Sequence, residues 1–344
     1  MKRAFTIFIG LLILLILVPQ CSKKKDLNEM VTDFFHSNKN VTILVTDSGL
    51  GGLSVVAELA AQLPQSGVFE NVRIVFYNSQ YHHRFGYNSL KEESDKVRIF
   101  DSALKAMKKK YDPDILLIAC NTLSVLYDKT EFSKNVDYPV IGIVELGVDL
   151  IEEEFKSNSE ATALIFATRT TIGSNAHKNL LVSRGIAPEH IVGQACRRLA
   201  GRIEEGHDSE ETVGLINKYV SQAVEKLENK EAPIFASLNC THYGYSMQQF
   251  KDAFAALGYP NIEIIDPNPK MAALLFKPEY LNRYAETKVS VEVVSKGNLA
   301  ELEIKSIGNL LEKTSLVTAE ALRNFEHKPD LFEAGFDTTM LMGR

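Results

Sequence analysis

Two stretches of this chain end in the same way. Asp114-Ile-Leu-Leu-Ile-Ala-Cys120 and Pro233-Ile-Phe-Ala-Ser-Leu-Asn-Cys240 are short apolar runs, and each delivers one cysteine to a polar turn, Asn121-Thr122 in the first and Thr241-His242 in the second. A short apolar run bounded by polar turns reads as a strand buried on both faces of a parallel sheet. Ligands of open α/β sheets sit just beyond the carboxyl ends of such strands. Two thiols at two strand ends, half a chain apart, therefore predict two related halves facing one cleft. A pair of thiols so placed is suited to moving a proton from one face of a carbon atom to the other.

The rest of the chain keeps the same rhythm. Strands are predicted over 41–45, 72–77, 114–119 and 140–144, and helices over 53–63 and 91–110. A second series has strands over 161–167, 190–194, 234–238 and 262–265, and helices over 175–184, 197–205, 209–228 and 247–257. Strands alternating with helices mean parallel sheets covered on both faces. The 344 residues are enough for two such domains. The fold class is α/β, with two doubly wound domains: 40–143 plus about 266–286 in the first, and 144–265 in the second. In the extension 287–344, Val289, Val291 and Val293 alternate with polar residues, as do Leu302 and Ile304 beyond Lys296-Gly297-Asn298. That pattern predicts a β-hairpin, followed by a helix over 308–326.

Removing the α-proton of an amino acid creates an unstable carbanion, and many enzymes stabilise it with pyridoxal phosphate. No convincing site for that cofactor is legible. Two bases flanking the α-carbon would need no cofactor and no metal, provided both reach that carbon. An ordinary thiol ionises near pH 8.5, so each needs local help. Asp47 and Ser48 end the first strand, where Asp47 can assist Cys120, and His242 can do the same for Cys240. Asn121, Thr122 and Thr241 offer polar groups for a carboxylate. The plain alternatives are buried structural cysteines and an N-capping Asp47. Cys196 reads as core. Cys240 and His242, with His82 and His83, are zinc-ligand types, but ligands two residues apart at a strand end address one tetrahedral ion poorly.

Five collinear motifs carry a resemblance. Asp47-Ser-Gly-Leu-Gly-Gly-Leu-Ser-Val, Ala119-Cys-Asn-Thr, Val140-Ile-Gly-Ile-Val-Glu, Ala167-Thr-Arg-Thr-Thr-Ile and Cys240-Thr-His-Tyr are similar to the successive motifs of the glutamate racemase family, within the cofactor-independent aspartate/glutamate racemase superfamily. The resemblance spans about residues 41 to 270. It implies two flavodoxin-like domains with pseudo-twofold symmetry and an active site between them. It implies Cys120 and Cys240 as the two bases, Asp47, His242 and Glu204 as their assistants, and Ser48, Asn121, Thr122, Thr171 and Thr241 as substrate contacts. The family's Pro-Tyr-Gly substrate loop is matched here by Arg84, Phe85 and Gly86. Ala195-Cys196-Arg197-Arg198 stands where Ala-Cys-Pro-Leu is usual, and Leu146 replaces a common proline. The implied substrate is a small acidic amino acid, with preference altered by the arginines. A diacid isomerase or decarboxylase, and a non-catalytic surface binding protein, stay open, as does a homodimer.

The N-terminus has another character. Lys2 and Arg3 precede a nearly unbroken apolar run from Phe5 to Val18, too short to span a bilayer comfortably and suited to a signal-peptide core. Cys21 follows, as in a bacterial lipoprotein signal, although Pro19 and Gln20 depart from the usual small residues. The expectation is a signal segment over 1–21 with Cys21 lipidated, a tether over 22–39, and a body anchored to a membrane on its periplasmic or outer face. A net charge of −6 leaves no electrostatic footprint for nucleic acid.

Overall fold

The computed structural model describes residues 25–82 and 85–334. The signal-like segment, Cys21 and Arg84 lie outside the described residues.

Ten strands are formed among the described residues: β1 (Asn40–Asp47), β2 (Asn71–Asn78), β3 (Ile115–Ile118), β4 (Val140–Gly142), β5 (Thr162–Ala167), β6 (Ile191–Ala195), β7 (Ile234–Asn239), β8 (Glu263–Ile265), β9 (Lys288–Ser295) and β10 (Glu326–His327). They build two sheets, in the orders β10-β9-β2-β1-β3-β4 and β6-β5-β7-β8. Every pairing is parallel. Parallel neighbours need crossovers, and helices supply them, so both faces of each sheet are covered. This is why β3 and β5 are buried at every position. The fold is the two-sheet, helix-covered α/β architecture that the alternating pattern predicts.

The strand order fixes where a ligand can sit. In the first sheet the chain leaves β1 for β2 on one side and reaches β3 on the other. In the second, β5 stands between β6 and β7 in the same way. Each sheet thus has a switch point, where the loops beyond the strand ends diverge and leave a crevice. Asp47 and Cys120 lie at the first, and Thr168 and Cys240 at the second.

Three expectations are corrected. Among the described residues of the 287–344 extension the expected hairpin is not formed: β9 pairs along its whole length with β2, in parallel, and Glu301–Leu311 is a helix. Ile304, Ile307 and Leu311 follow helical spacing, and the Glu303 carboxylate accepts the Ala300 N–H at 2.9 Å, a helix-start device that outweighs the short alternation. The region read as a 22–39 tether contains a helix, Leu27–Ser37, opened by a reciprocal Asp26–Glu29 capping box. It buries Phe34 and Phe35, and Phe35 stacks on Tyr280 at 4.1 Å between centroids. The fourth strand stops at Gly142, and Ile143–Ser157 is helical.

Candidate active site

The first switch point is held by Asp47, whose side chain has three donors. Its Oδ1 accepts the Ser48 N–H at 2.6 Å, and its Oδ2 accepts the Gly52 N–H and the Thr241 hydroxyl, each at 2.6 Å. Thr241 belongs to the other half of the molecule, so this bond crosses the cleft. The Ser48 hydroxyl lies 3.2 Å from the Cys120 sulfur. Cys120, 6 % exposed, caps the Asn121–Tyr127 helix. Burial, and next the charge of Asp47, push its thiol well above the usual range, while the Ser48 hydroxyl and the N–H groups of Leu123 and Ser48 pull the other way.

The second thiol, Cys240, is 5 % exposed and follows β7. Its sulfur lies 3.6 Å from His242 Nδ1, and His242 Nε2 lies 2.7 Å from Glu204 Oε1. The same Glu204 oxygen accepts the Leu50 N–H from the first half at 2.6 Å. Burial opposes a charged His242, but the charge of Glu204 and the hydrogen bonds to Cys240 and Glu204 outweigh it, so the ring titrates well above its usual range. An imidazolium donates from both nitrogens. The Gly51 N–H, 3.1 Å from Nε2, then finds no lone pair there and is a close approach only. The approach is close enough to demand glycine: a Cβ at Gly51 would fall 2.3 Å from Thr241 Oγ1 and 2.5 Å from His242 Nδ1.

A hydroxyl cluster lies beside Cys120. Thr122 Oγ1 is 2.7 Å from Thr168 Oγ1 and 3.4 Å from Thr171 Oγ1. Asn121, only 1 % exposed, leaves both its amide nitrogen and its carbonyl oxygen unbonded, as Tyr87 leaves its hydroxyl. Buried polar groups are normally paired, so these point to a ligand with hydrogen-bonding ends. Cys120, Cys196 and Cys240 are all free thiols.

The structure thus brings Asp47, Ser48, Cys120, Asn121, Thr122, Thr171, Glu204, Cys240, Thr241 and His242 into one connected region. Phe85 packs on the apolar cluster that contains Cys120, and Gly86 precedes the short turn Tyr87–Ser89. A Cβ at Gly86 would meet nothing, so packing does not require glycine there. Cys196 is core, as its sequence context suggests. Sequence reasoning passed over Thr168, Tyr87 and Lys96. Thr168 lies within a recognised motif, whereas nothing local marks the other two.

The Asp/Glu/Hydantoin racemase family model matches residues 43–274. The glutamate racemase of Lysinibacillus sphaericus is 27% identical over 212 residues, 62% of this chain and 73% of that protein. That of Clostridium perfringens is 27% identical over 281 residues, 80% of this chain and 96% of that protein. Among solved structures, glutamate racemase from Francisella tularensis in complex with D-glutamate aligns with a TM-score of 0.59 at 22% identity, covering 84% of this chain and 96% of that one. Glutamate racemase from Aquifex pyrophilus aligns with a TM-score of 0.56 at 22% identity, covering 80% and 97%. The matched segment runs through both sheets and both thiol turns, and the chain belongs to the Asp/Glu/Hydantoin racemase family.

Proposed function

We propose that this protein is an amino-acid racemase that interconverts the enantiomers of an acidic amino acid, glutamate before aspartate, by proton transfer between Cys120 and Cys240. The observation that carries this is the interlock of the two thiol turns. Each half brings one thiol with a polar partner, Ser48 for Cys120 and His242 for Cys240, and the carboxylate behind each partner, Asp47 or Glu204, takes a hydrogen bond from the other half, from Thr241 or Leu50.

In one direction the Cys120 sulfur, as thiolate, takes the α-proton, and the Cys240 thiol returns a proton to the opposite face; in the other the roles exchange. Burial raises the Cys120 thiol most and the charge of Asp47 next; a substrate ammonium beside Asp47 would offset that second part and bring the thiolate within easier reach. His242, held by Glu204, steadies a thiolate on Cys240 and keeps a proton within reach. Asn121 and the threonine hydroxyls offer donors to a carboxylate, which hydrogen-bonds more strongly than a neutral group. Glutamate stands first because the relatives named above are glutamate racemases.

The test is reduced protein in D₂O with each enantiomer of glutamate and aspartate, following α-proton loss by NMR and chirality in parallel. Exchange with inversion from both enantiomers is expected. Cys120→Ser and Cys240→Ser should each lower turnover by at least about 10²-fold with circular dichroism unchanged. Two active single variants would overturn the two-thiol mechanism.

The apolar run before Cys21 supports a further proposal, of place: lipid anchoring at a membrane surface. Metabolic labelling with a palmitate analogue should mark the full chain and not Cys21→Ala. An unlabelled protein would remove the anchor.

A further inference from the structure

Lys96 is the only buried lysine or arginine among the described residues, at 8 % exposure. It stands in the Glu93–Tyr111 helix of the first half and donates from Nζ to Thr170 Oγ1, in the second half, at 3.0 Å. No carboxylate among the described residues forms an ion pair with it. Glu93, on its own helix, is the one carboxylate whose charge favours the ammonium, and it is committed to an ion pair with Lys129 at 2.7 Å. Its other charged neighbour is a cation: Arg169, next to Thr170, whose guanidinium donates to the Asn88 carbonyl. Burial, and next the charge of Arg169, hold the Lys96 ammonium below its usual range. A buried charge without a counter-ion is costly, and natural proteins pair it.

The missing partner is an anion, and the neighbouring groups indicate where it sits. Thr170 lies on the same turn as Thr168 and Thr171, whose hydroxyls join Thr122 in the cluster beside Cys120. Asn121, at 1 % exposure and with both amide groups unbonded, opens the same turn. Hydroxyls and an amide can orient a carboxylate but cannot neutralise it, and Arg169, the other cation on this turn, is exposed and engaged with the Asn88 carbonyl.

We propose that Lys96 is a specificity-determining positioning residue: it supplies, through the Thr170 turn, the positive charge that balances a substrate carboxylate seated on the threonine cluster. The inference rests on the racemase reading and adds the residue that makes the cleft select an anionic ligand. It differs from a plain clasp between the halves, which would need only the hydrogen bond to Thr170.

Three variants separate charge from clasp. Lys96→Gln keeps a donor near Thr170 and removes the charge, Lys96→Arg keeps the charge, and Lys96→Met removes both. Racemisation kinetics give KM and kcat for glutamate, and calorimetry gives the Kd of glutarate, a dicarboxylate with no stereocentre to invert. In Lys96→Gln and Lys96→Met, KM and Kd should rise about 10- to 100-fold, the range expected for a charged hydrogen bond, with kcat within about threefold. Lys96→Arg should restore affinity to within about fivefold of the unmodified protein. Gln binding as tightly as Lys, or Arg failing to restore what Met loses, would overturn the proposal. If the unmodified protein exchanges no acidic amino acid, the racemase reading fails, while the glutarate measurements still decide the role of Lys96.

Discussion

At the residue scale, the site is a set of groups whose protonation depends on what lies beside them. Burial and then the charge of Asp47 raise one thiol, and Glu204 holds a charged His242 beside the other. A third group, His177, lies next to this machinery without belonging to it. It is buried against Asn239, the residue before Cys240, and burial lowers it to about 4, only partly offset by the Asn239 side chain. In the unfolded chain a histidine titrates near 6.5. Between those values the unfolded state binds more protons than the folded one, so stability rises with pH across that window. The contribution is complete above about pH 6.5 and is lost as pH falls toward 4, by about 3 kcal/mol at most. Urea midpoints at pH 7 and pH 4.5 should therefore fall further for the unmodified protein than for His177→Gln. Equal falls would mean that His177 contributes nothing to acid sensitivity.

At the scale of elements, the strands that carry the site were legible because their signal is local: β1, β3, β5 and β7 are apolar runs that end on polar turns. The extension after residue 287 departs from its local pattern for the opposite reason. Alternation at Val289, Val291 and Val293 marks a strand but not its partner. The partner is β2, about 217 residues away in sequence, as the Asn78 to Ser295 hydrogen bond shows. The Glu301–Leu311 helix then packs against both Leu53–Ser66, which follows the Asp47 turn, and Leu199–Glu205, which carries Glu204. It bridges the two halves, and Ile307 at its centre is fully buried. Ile307→Ala should cost about 2–5 kcal/mol, the range for deleting a buried aliphatic side chain. Chemical denaturation would read it, and a change below about 0.5 kcal/mol, typical of a surface site, would show that the helix is not part of the folded unit.

On the scale of the whole molecule, the two switch points face one another so closely that both thiols are nearly sealed from solvent. On the proposed reaction a substrate could reach the thiols only if the halves parted, and the glycine turn lets the halves approach this closely. Any side chain at Gly51 would strike Thr241 and His242, and one at Gly49 would come 2.6 Å from Glu204 Oε1. Gly51→Ala is therefore expected to hold the cleft open. Iodoacetamide should alkylate Cys120 and Cys240 faster in that variant than in the unmodified protein, with Cys196 as the buried control, and racemisation should fall. Unchanged labelling would place the closing contacts elsewhere.

The sequence by itself determined the α/β class, the alternation of strands and helices and the two cysteine turns, because hydrophobic periodicity and turn chemistry act over a few residues. It also singled out Asp47 and His242, through motifs at fixed places in the chain, and Glu204 through the family resemblance. Only the tertiary structure decided how they meet: Asp47 reaches Thr241 across 194 positions, and Leu50 reaches Glu204 across 154. It alone revealed the unpaired charge of Lys96, since a lysine in a helix next to acidic residues reads locally as solvated. Burial and counter-charge are properties of what packs against a residue, and that is set by strand order and crossover, not by its neighbours in sequence.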